Sequence, residues 1–346
     1  MTLQQLFGIE FPIIQAPMAG AQGSALTLAV SNAGALGSLP CAMLSPQAIR
    51  SELLAIKAQT DRPFNANFFC HQAPLPDEQV QAAWRAALAP YYAEFGIEGD
   101  AVATGPSRAP FGPAEADLLD EFKPAVVSFH FGLPPPDLLA RARATGAKLI
   151  CSATTVDEAR WLEAQGVHAV IAQGLEAGGH RGLFLSPELS RQVGTFALLP
   201  QIVQAVKVPV IAAGGIADAR GIKAAMALGA AGVQVGTAFL LCPESTISAP
   251  HRAALQSEAA RHTALTNLFT GRPSRCIVNR FLRELGPMRA QMPAFPLAAA
   301  AVAPLRAKAE AQGSGDFSPL WAGQNASGCK AVPAAELTHE LASAFR

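Results

Sequence analysis

The sequence has no excess of either charge: 26 Lys and Arg stand against 26 Asp and Glu in 346 residues. A chain without a basic surplus lacks the clustered cations from which nucleic-acid binders draw affinity, so no nucleic-acid partner is expected. Charged residues of both signs are scarce, at 15%, while 50% of the chain is hydrophobic. That balance excludes a disordered chain and demands a large buried core. Long apolar runs are missing as well. The purest, Leu297 to Ala303, is closed off by Pro296 and Pro304, whereas a spanning helix needs about 18 apolar residues in a row. No membrane association is expected, despite a mean hydropathy of +0.24. The opening MTLQQLFGIEF has no basic segment leading into an apolar one, so a secretory leader is not expected. The six cysteines include no CxxC pair, which favours reduced thiols in a cytoplasmic protein over a zinc site or a disulfide frame. The NAS sequon at Asn325 then reads as chance. GxxxxGK[ST], GxGxxG after a strand, HExxH and GxSxG are all absent, so the usual signatures of triphosphate hydrolysis, Rossmann binding, zincin and serine-hydrolase chemistry are missing.

What is present is a regular alternation of short apolar runs and helix-length segments. The runs expected as strands are Pro12 to Met18, Ala35 to Pro40, Pro63 to Phe69, Ala125 to Phe131, Lys148 to Ala153, Ala169 to Gly174, Val208 to Gly215 and Gly232 to Thr237. Continuous apolar runs such as VPVIAAGG suit parallel strands buried on both faces. Between them, Ser45 before Pro46 reads as a helix start, Thr155 with Glu158 as a capping box, and Gly166 as a helix end. Asp218 opens another helix that closes at Gly229. Eight strand-then-helix units point to a (β/α)8 TIM barrel, with a doubly wound open sheet as the structural alternative.

The expected organisation is a barrel over residues 1–247, with an insertion over 70–124 after strand three, and a helical extension over 248–346 covering the barrel mouth. The insertion reads as a helix around Asp77 to Phe95 followed by a Gly/Pro-rich stretch, Gly105 to Pro113. Long connections of this kind are usually lids or small subdomains.

A barrel's active site forms at the C-terminal ends of its strands. His71, His130 and His180 are expected at that rim, His168 at the opposite face, and His251, His262 and His339 in the extension. His180 follows the paired glycines Gly178 and Gly179, which let backbone approach a ligand closely. His130 and His71 can equally serve loop packing. Cys70 beside His71 reads as a buried thiol and not a nucleophile, since adjacent strand residues face opposite ways. Gly214 and Gly215 end strand seven, Gly236 and Thr237 end strand eight, and each pair precedes a helix. That is where many barrels hold a phosphate on backbone N–H groups, which suggests FMN or a sugar phosphate.

QAPMAG (15–20), SNAGALG (31–37), PFNANFF (63–69), VSFHFG (127–132), QGLEAGGHRG (173–182), AAGGI (212–216), QVGT (234–237) and LWAGQ (320–324) together resemble the FMN-dependent nitronate monooxygenases, across nearly the whole chain. EAGGH combined with QAPM is specific; AAGGI and QVGT recur in many flavin barrels. One departure is Ala35, where family members often carry a second glycine.

The resemblance implies FMN held by Asn67, Gln173, Gly178, Gly215 and the turn Gln234, Val235, Gly236 and Thr237, with the backbone of Ala16, Pro17 and Met18 beside the flavin ring. It implies His180 as the catalytic residue and His130 as its neighbour at the substrate. The activity implied is a detoxifying oxidation of alkyl nitronates, such as propionate 3-nitronate, by O2 to a carbonyl compound and nitrite, in a monomer or homodimer. If neutral nitroalkanes are also used, His180 serves as general base. The alternatives are an FMN-dependent NAD(P)H:quinone or enoyl-thioester reductase, and a flavin binder without turnover.

Overall fold

The computed structural model describes residues 2–98 and 108–346. Its strands are β1 (Ile13–Gln15), β2 (Gly37–Pro40), β3 (Phe64–Phe69), β4 (Val126–His130), β5 (Lys148–Ala153), β6 (Ala169–Gln173), β7 (Gly179–His180), β8 (Val210–Ala213), β9 (Gly232–Val235), β10 (Thr263–Thr266) and β11 (Ser274–Ile277). Eight of them form one parallel sheet in the order β1-β9-β8-β6-β5-β4-β3-β2. Leu36, just ahead of β2, bridges to Ile14 of β1 and joins the two ends of the sheet. The result is an α/β barrel with the expected strands in the expected order. β1 ends at Gln15, short of the expected Met18, because Ala16 to Met18 leave the sheet to line a cavity.

The strand sequences explain which way each side chain faces. In β3 every residue is buried, yet Asn65 and Asn67 turn inward onto Ser128 while Ala66 and Phe68 pack outward with Ile49 and Leu53 of the surrounding helices. The floor of the barrel is apolar. Helix Leu3–Phe7, started by a Thr2/Gln5 capping box and ended by left-handed Gly8, packs Leu3 and Phe7 against Ile14, Val126, Ile150, Ile171 and Ile211. His168 sits at this end, its Nδ1 accepting from Leu149 N–H at 3.0 Å, as expected for the stability face. Ala35 is not among the left-handed residues, whereas Gly34 has φ +90°, so alanine fits where the family pattern departs.

Ser45, Thr155 and Asp218 cap their helices as expected. The Thr155/Glu158 box is only half formed. The Glu158 carboxylate turns instead to Thr154 N–H at 2.6 Å and Phe184 N–H at 2.7 Å, tying the loop after β6 to the start of its neighbouring helix.

The remainder differs from the expectation in three places. Helix Pro113–Phe122, inside the expected insertion, packs between helices Pro46–Lys57 and Pro136–Ala144 and serves as the third barrel helix. The residues after 247 are not purely helical. β10 and β11 form a hairpin that pairs with β7 in a three-stranded sheet, so the segment carrying His180 is a strand edge completed from the chain's last third. Finally, helix Ala334–Ala342 returns to pack on barrel helices Ser24–Asn32 and Ala219–Ala227. β9 is followed only by the short 3-10 helix Thr237–Leu241, which leaves that flank for it to cover.

The covering unit has its own core. Helix Glu78–Glu94, capped by Asp77, lies on helix Ala298–Ala311, with Trp84, Leu88, Tyr91, Phe281, Leu305 and Phe317 between them. The Gly/Pro-rich stretch expected at Gly105 to Pro113 lies outside the described residues as far as residue 107.

Candidate active site

The strand ends of the barrel and the covering unit enclose a cavity of about 440 Å³, within the roughly 300–1,000 Å³ of small-molecule sites. Ala16, Pro17, Met18, Asn67, His130, Gln173, Gly178, Gly179, His180, Gly214, Gly215, Gln234, Gly236 and Thr237 all line it. Val235 does not. Its side chain packs outward in the barrel–helix core, and it serves the site only through its carbonyl, which accepts from Ala16 N–H at 2.8 Å.

On the β1 side, the turn Ala16 to Met18 is held by two buried glutamines. Gln15 Nε2 donates to Gln22 Oε1 at 2.6 Å, Gln22 Nε2 donates to Ser38 O at 2.5 Å, and Met18 N–H reaches Gln22 Oε1 at 3.3 Å. Asn67 Nδ2 donates to Ser128 Oγ at 2.9 Å. Gln173 spans the β6 loop: its Nε2 donates to His180 O at 3.0 Å and its Oε1 accepts from Gly182 N–H at 2.7 Å. One Nε2 proton remains free for a ligand.

The two histidines differ in what their rings can do. His130 Nε2 lies 3.3 Å from the His180 carbonyl oxygen, so it carries the proton and donates. Nδ1 must then accept from Ser152 Oγ–H at 3.0 Å. Burial, with Arg272 nearby, pushes its pKa down to about 3. With both nitrogens committed, His130 holds the His180 backbone in place and has no proton to exchange near neutrality. His180 Nε2 meets Thr270 Oγ1 at 2.9 Å, and the Thr270 hydroxyl has its own acceptor in Arg272 O at 3.5 Å. That chain assigns the proton to Nε2 and leaves Nδ1 as a lone pair with no hydrogen bond among the described residues. Burial first, then the charges of Arg108 and Arg272, hold the His180 imidazole neutral well below the usual 6.5.

Around His180 stand Phe69, Phe131, Phe295 and Trp321, with ring centroids 5.2–6.3 Å away. Phe131 takes a left-handed φ of +72°, a conformation rare for a bulky residue and a sign of strain held by its surroundings. The Arg272 guanidinium lies 4.0 Å over its ring. Arg108 lines the cavity, and burial lowers both arginines to about 10. No carboxylate pairs with either among the described residues, so the chamber is apolar in its walls and positive in its potential. His71 stands behind the wall, edge-on to Phe295 at 4.8 Å, with its pKa lowered to about 4 by burial. Burial also raises the Cys70 thiol well above 9.0, in keeping with an inert cysteine.

Sequence reasoning missed the residues that brace this loop. Arg181 is fully buried and donates to Gly174 O at 2.6 Å, Gln173 O at 2.7 Å and Gln192 Oε1. Glu176 accepts from Thr195 N–H and Oγ–H at 2.8 Å, fixing the loop to helix Thr195–Ala205. The one available signal was the pair of charges inside an otherwise small-residue motif, LEAGGHRG.

The opposite end of the cavity suits an anion. Gly214 and Gly215 have φ of +116° and +72°, and the N–H groups of Gly215, Ile216, Gly236 and Thr237 find no acceptor among the described residues. Gln234 Oε1 is likewise buried without a partner. Unpaired donors on glycine turns, an orphaned amide at Gln234 and the further side-chain amides of Asn67 and Gln173 on the lining fit a phosphate-bearing aromatic cofactor such as FMN.

The nitronate monooxygenase family model matches residues 1–343. A nitronate monooxygenase of Paraburkholderia phytofirmans is 43% identical, over 98% of this chain and 93% of its own length. One of Pseudomonas aeruginosa is 43% identical over 99% and 98%. Among solved structures, the nitroalkane oxidase of Streptomyces ansochromogenes superposes with a TM-score of 0.90 at 38% identity, over 99% of this chain and 98% of that one. FabK of Thermotoga maritima follows with a TM-score of 0.74 at 27% identity, over 100% and 96%.

Proposed function

The chain belongs to the nitronate monooxygenase family, and from that premise we propose that it oxidises small alkyl nitronates, such as propionate 3-nitronate, with O2 on a bound FMN, releasing a carbonyl compound and nitrite. The observation that carries the reading is His180, a neutral imidazole with an unpartnered Nδ1 at the edge of a positive, aromatic-walled chamber. FMN, when bound, supplies the electron-accepting ring that a carbanion-like nitronate can reduce.

The chain's own groups divide the remaining work. Gly215, Ile216, Gly236 and Thr237 offer N–H donors to the phosphate, while Asn67, Gln173 and Gln234 offer amides to the polar edge of the ring. Arg108 and Arg272 favour an anionic substrate, and because they lie in a low-dielectric chamber their potential acts with little screening. Phe69, Phe131, Phe295 and Trp321 exclude water. His180 Nδ1 can take a proton from a neutral nitroalkane, with Thr270 holding the proton on Nε2. Six unpaired cysteines suit the reducing cytoplasm, which we propose as its location.

His180→Asn keeps a polar side chain able to hydrogen-bond from the same Cβ direction but offers no basic nitrogen. Its oxygen uptake with a neutral nitroalkane is expected to fall about a hundredfold or more with FMN retained, and with preformed propionate 3-nitronate to fall less; wild-type uptake on the nitroalkane would sink the assignment of His180 as the base. Anaerobic NADH is expected to leave the flavin oxidised. Rapid bleaching would favour the reductase alternative, and inertness to both substrates a flavin binder without turnover.

A further inference from the structure

Resting on the FMN reading above, we propose that the segment Trp321–Cys329 is a strap that sets the phosphate cradle, with Asn325 as its positioning residue. This segment lies from 86 to 148 residues beyond the groups it grips, yet it touches three loops. Asn325 Nδ2 donates to Gly215 O at 3.0 Å in the β8 loop. Gly323 N–H donates to Thr237 Oγ1 at 2.9 Å, and the Cys329 thiol donates to Thr237 O at 3.0 Å, both after β9. Gln324 N–H donates to Glu176 O at 2.9 Å in the β6 loop. The fit leaves no slack: a Cβ on Gly178 would stand 2.6 Å from the Ala322 carbonyl carbon and Gly323 N, and one on Gly328 would stand 2.0 Å from Ala217 O.

These bonds decide which groups are left to face a ligand. A peptide unit is planar and trans, so its C=O and the following N–H point in opposite directions. Drawing Gly215 O onto Asn325 therefore turns the Ile216 N–H away from the strap and keeps it free. In the β9 turn the carbonyl that shares a peptide with Thr237 N–H is Gly236 O, which accepts from Phe239 N–H at 2.9 Å and so leaves Thr237 N–H turned outward, while Cys329 holds the next carbonyl, Thr237 O. The Thr237 hydroxyl has a single proton and accepts from Gly323 N–H, so that proton remains to be donated to an anion. Asn325 is itself fixed, because its Oδ1 accepts from Ser327 N–H at 3.2 Å and Ser327 Oγ–H at 2.6 Å. Its side-chain amide is thus committed to organising the turn and not to receiving a glycan.

The test compares two flavins that differ only in the phosphate. The full-length protein, stripped of flavin, is titrated with FMN and with riboflavin, following flavin fluorescence. In Asn325→Ala the dissociation constant for FMN is expected to rise about tenfold while that for riboflavin stays within about twofold. Ser327→Ala, at an exposed position that does not threaten folding, is expected to weaken FMN about threefold with the same selectivity. An unchanged FMN affinity in both variants, or equal losses for FMN and riboflavin, would overturn the strap. If the wild-type chain itself bound FMN and riboflavin alike, the phosphate reading would fall and take the strap with it, a pattern separable from the first because it is visible without any variant.

Discussion

An imidazole can act as a base at Nδ1 only while another group keeps the proton on Nε2, and in this chain that group is a single hydroxyl. Thr270 comes from the hairpin turn of the covering unit, 90 residues from His180. Thr270→Val keeps the shape but removes the acceptor, so the neutral imidazole is free to place its proton on either nitrogen. The expected result is about a tenfold loss in kcat/KM for a neutral nitroalkane, a smaller loss for the preformed nitronate, and an unchanged melting temperature. Equal losses on both substrates would mean that Thr270 only holds the ring in place. Distance along the chain also explains what the sequence left unread. His130 was legible because it lies at the end of a recognisable strand and His180 because it follows paired glycines, whereas Asn67, Gln173 and Gln234 were implied by the family resemblance; all five line the cavity. Thr270, Arg272 and Asn325 were not legible, since each matters only through a partner supplied by a remote loop. Arg181 was hidden for another reason: its partners are carbonyl oxygens, which leave no mark in the sequence.

Elements were legible in proportion to how completely they are buried. The eight barrel strands read as continuous apolar runs because helices cover them outside and side chains fill them inside. β7, β10 and β11 read GH, TALT and SRCI, with no continuous apolar run to mark them, and the hairpin was therefore absorbed into an expected helical extension. The covering unit's helices behave differently again. Their packing is a separate cluster from the barrel core, built on Trp84, Leu88, Phe281, Leu305 and Phe317. Leu305 is fully buried in it, so Leu305→Ala is expected to cost about 2–5 kcal/mol locally. Amide exchange should then quicken across Glu78–Glu94 and Ala298–Ala311 while the barrel helices keep their protection. Uniform acceleration over the whole chain would show that the two cores unfold as one.

At the scale of the molecule, zero net charge conceals an uneven distribution: the cavity gathers arginines and histidines, and burial keeps the histidines neutral. His130 titrates near 3, His71 and His251 near 4, and His180 well below 6.5. The unfolded chain takes up these protons as pH falls below about 6.5, whereas in the native chain His71, His130 and His251 refuse them until about 4 or lower and His180 stays neutral well below 6.5. The unfolded state therefore binds more protons throughout that window, and stability must decline as pH falls through it. Each such histidine contributes up to about 1.4 kcal/mol per pH unit, approached only below pH 6.5, so His71, His130 and His251 together forfeit about 5 kcal/mol between pH 6.5 and pH 5, and His180 adds to that loss. That is comparable with the whole stability of an ordinary domain, about 5–15 kcal/mol. The melting temperature is expected to hold steady from pH 8 to 7 and to drop by the order of 10 °C by pH 5. Replacing His251, which packs on the Trp321 carbonyl at 3.1 Å at the edge of the cavity, by Gln removes one titrating group without touching His180. In His251→Gln the acid slope should shrink by about a quarter, and a slope unchanged by that substitution, or a melting temperature flat down to pH 5, would show that the histidines are not held neutral in the folded chain.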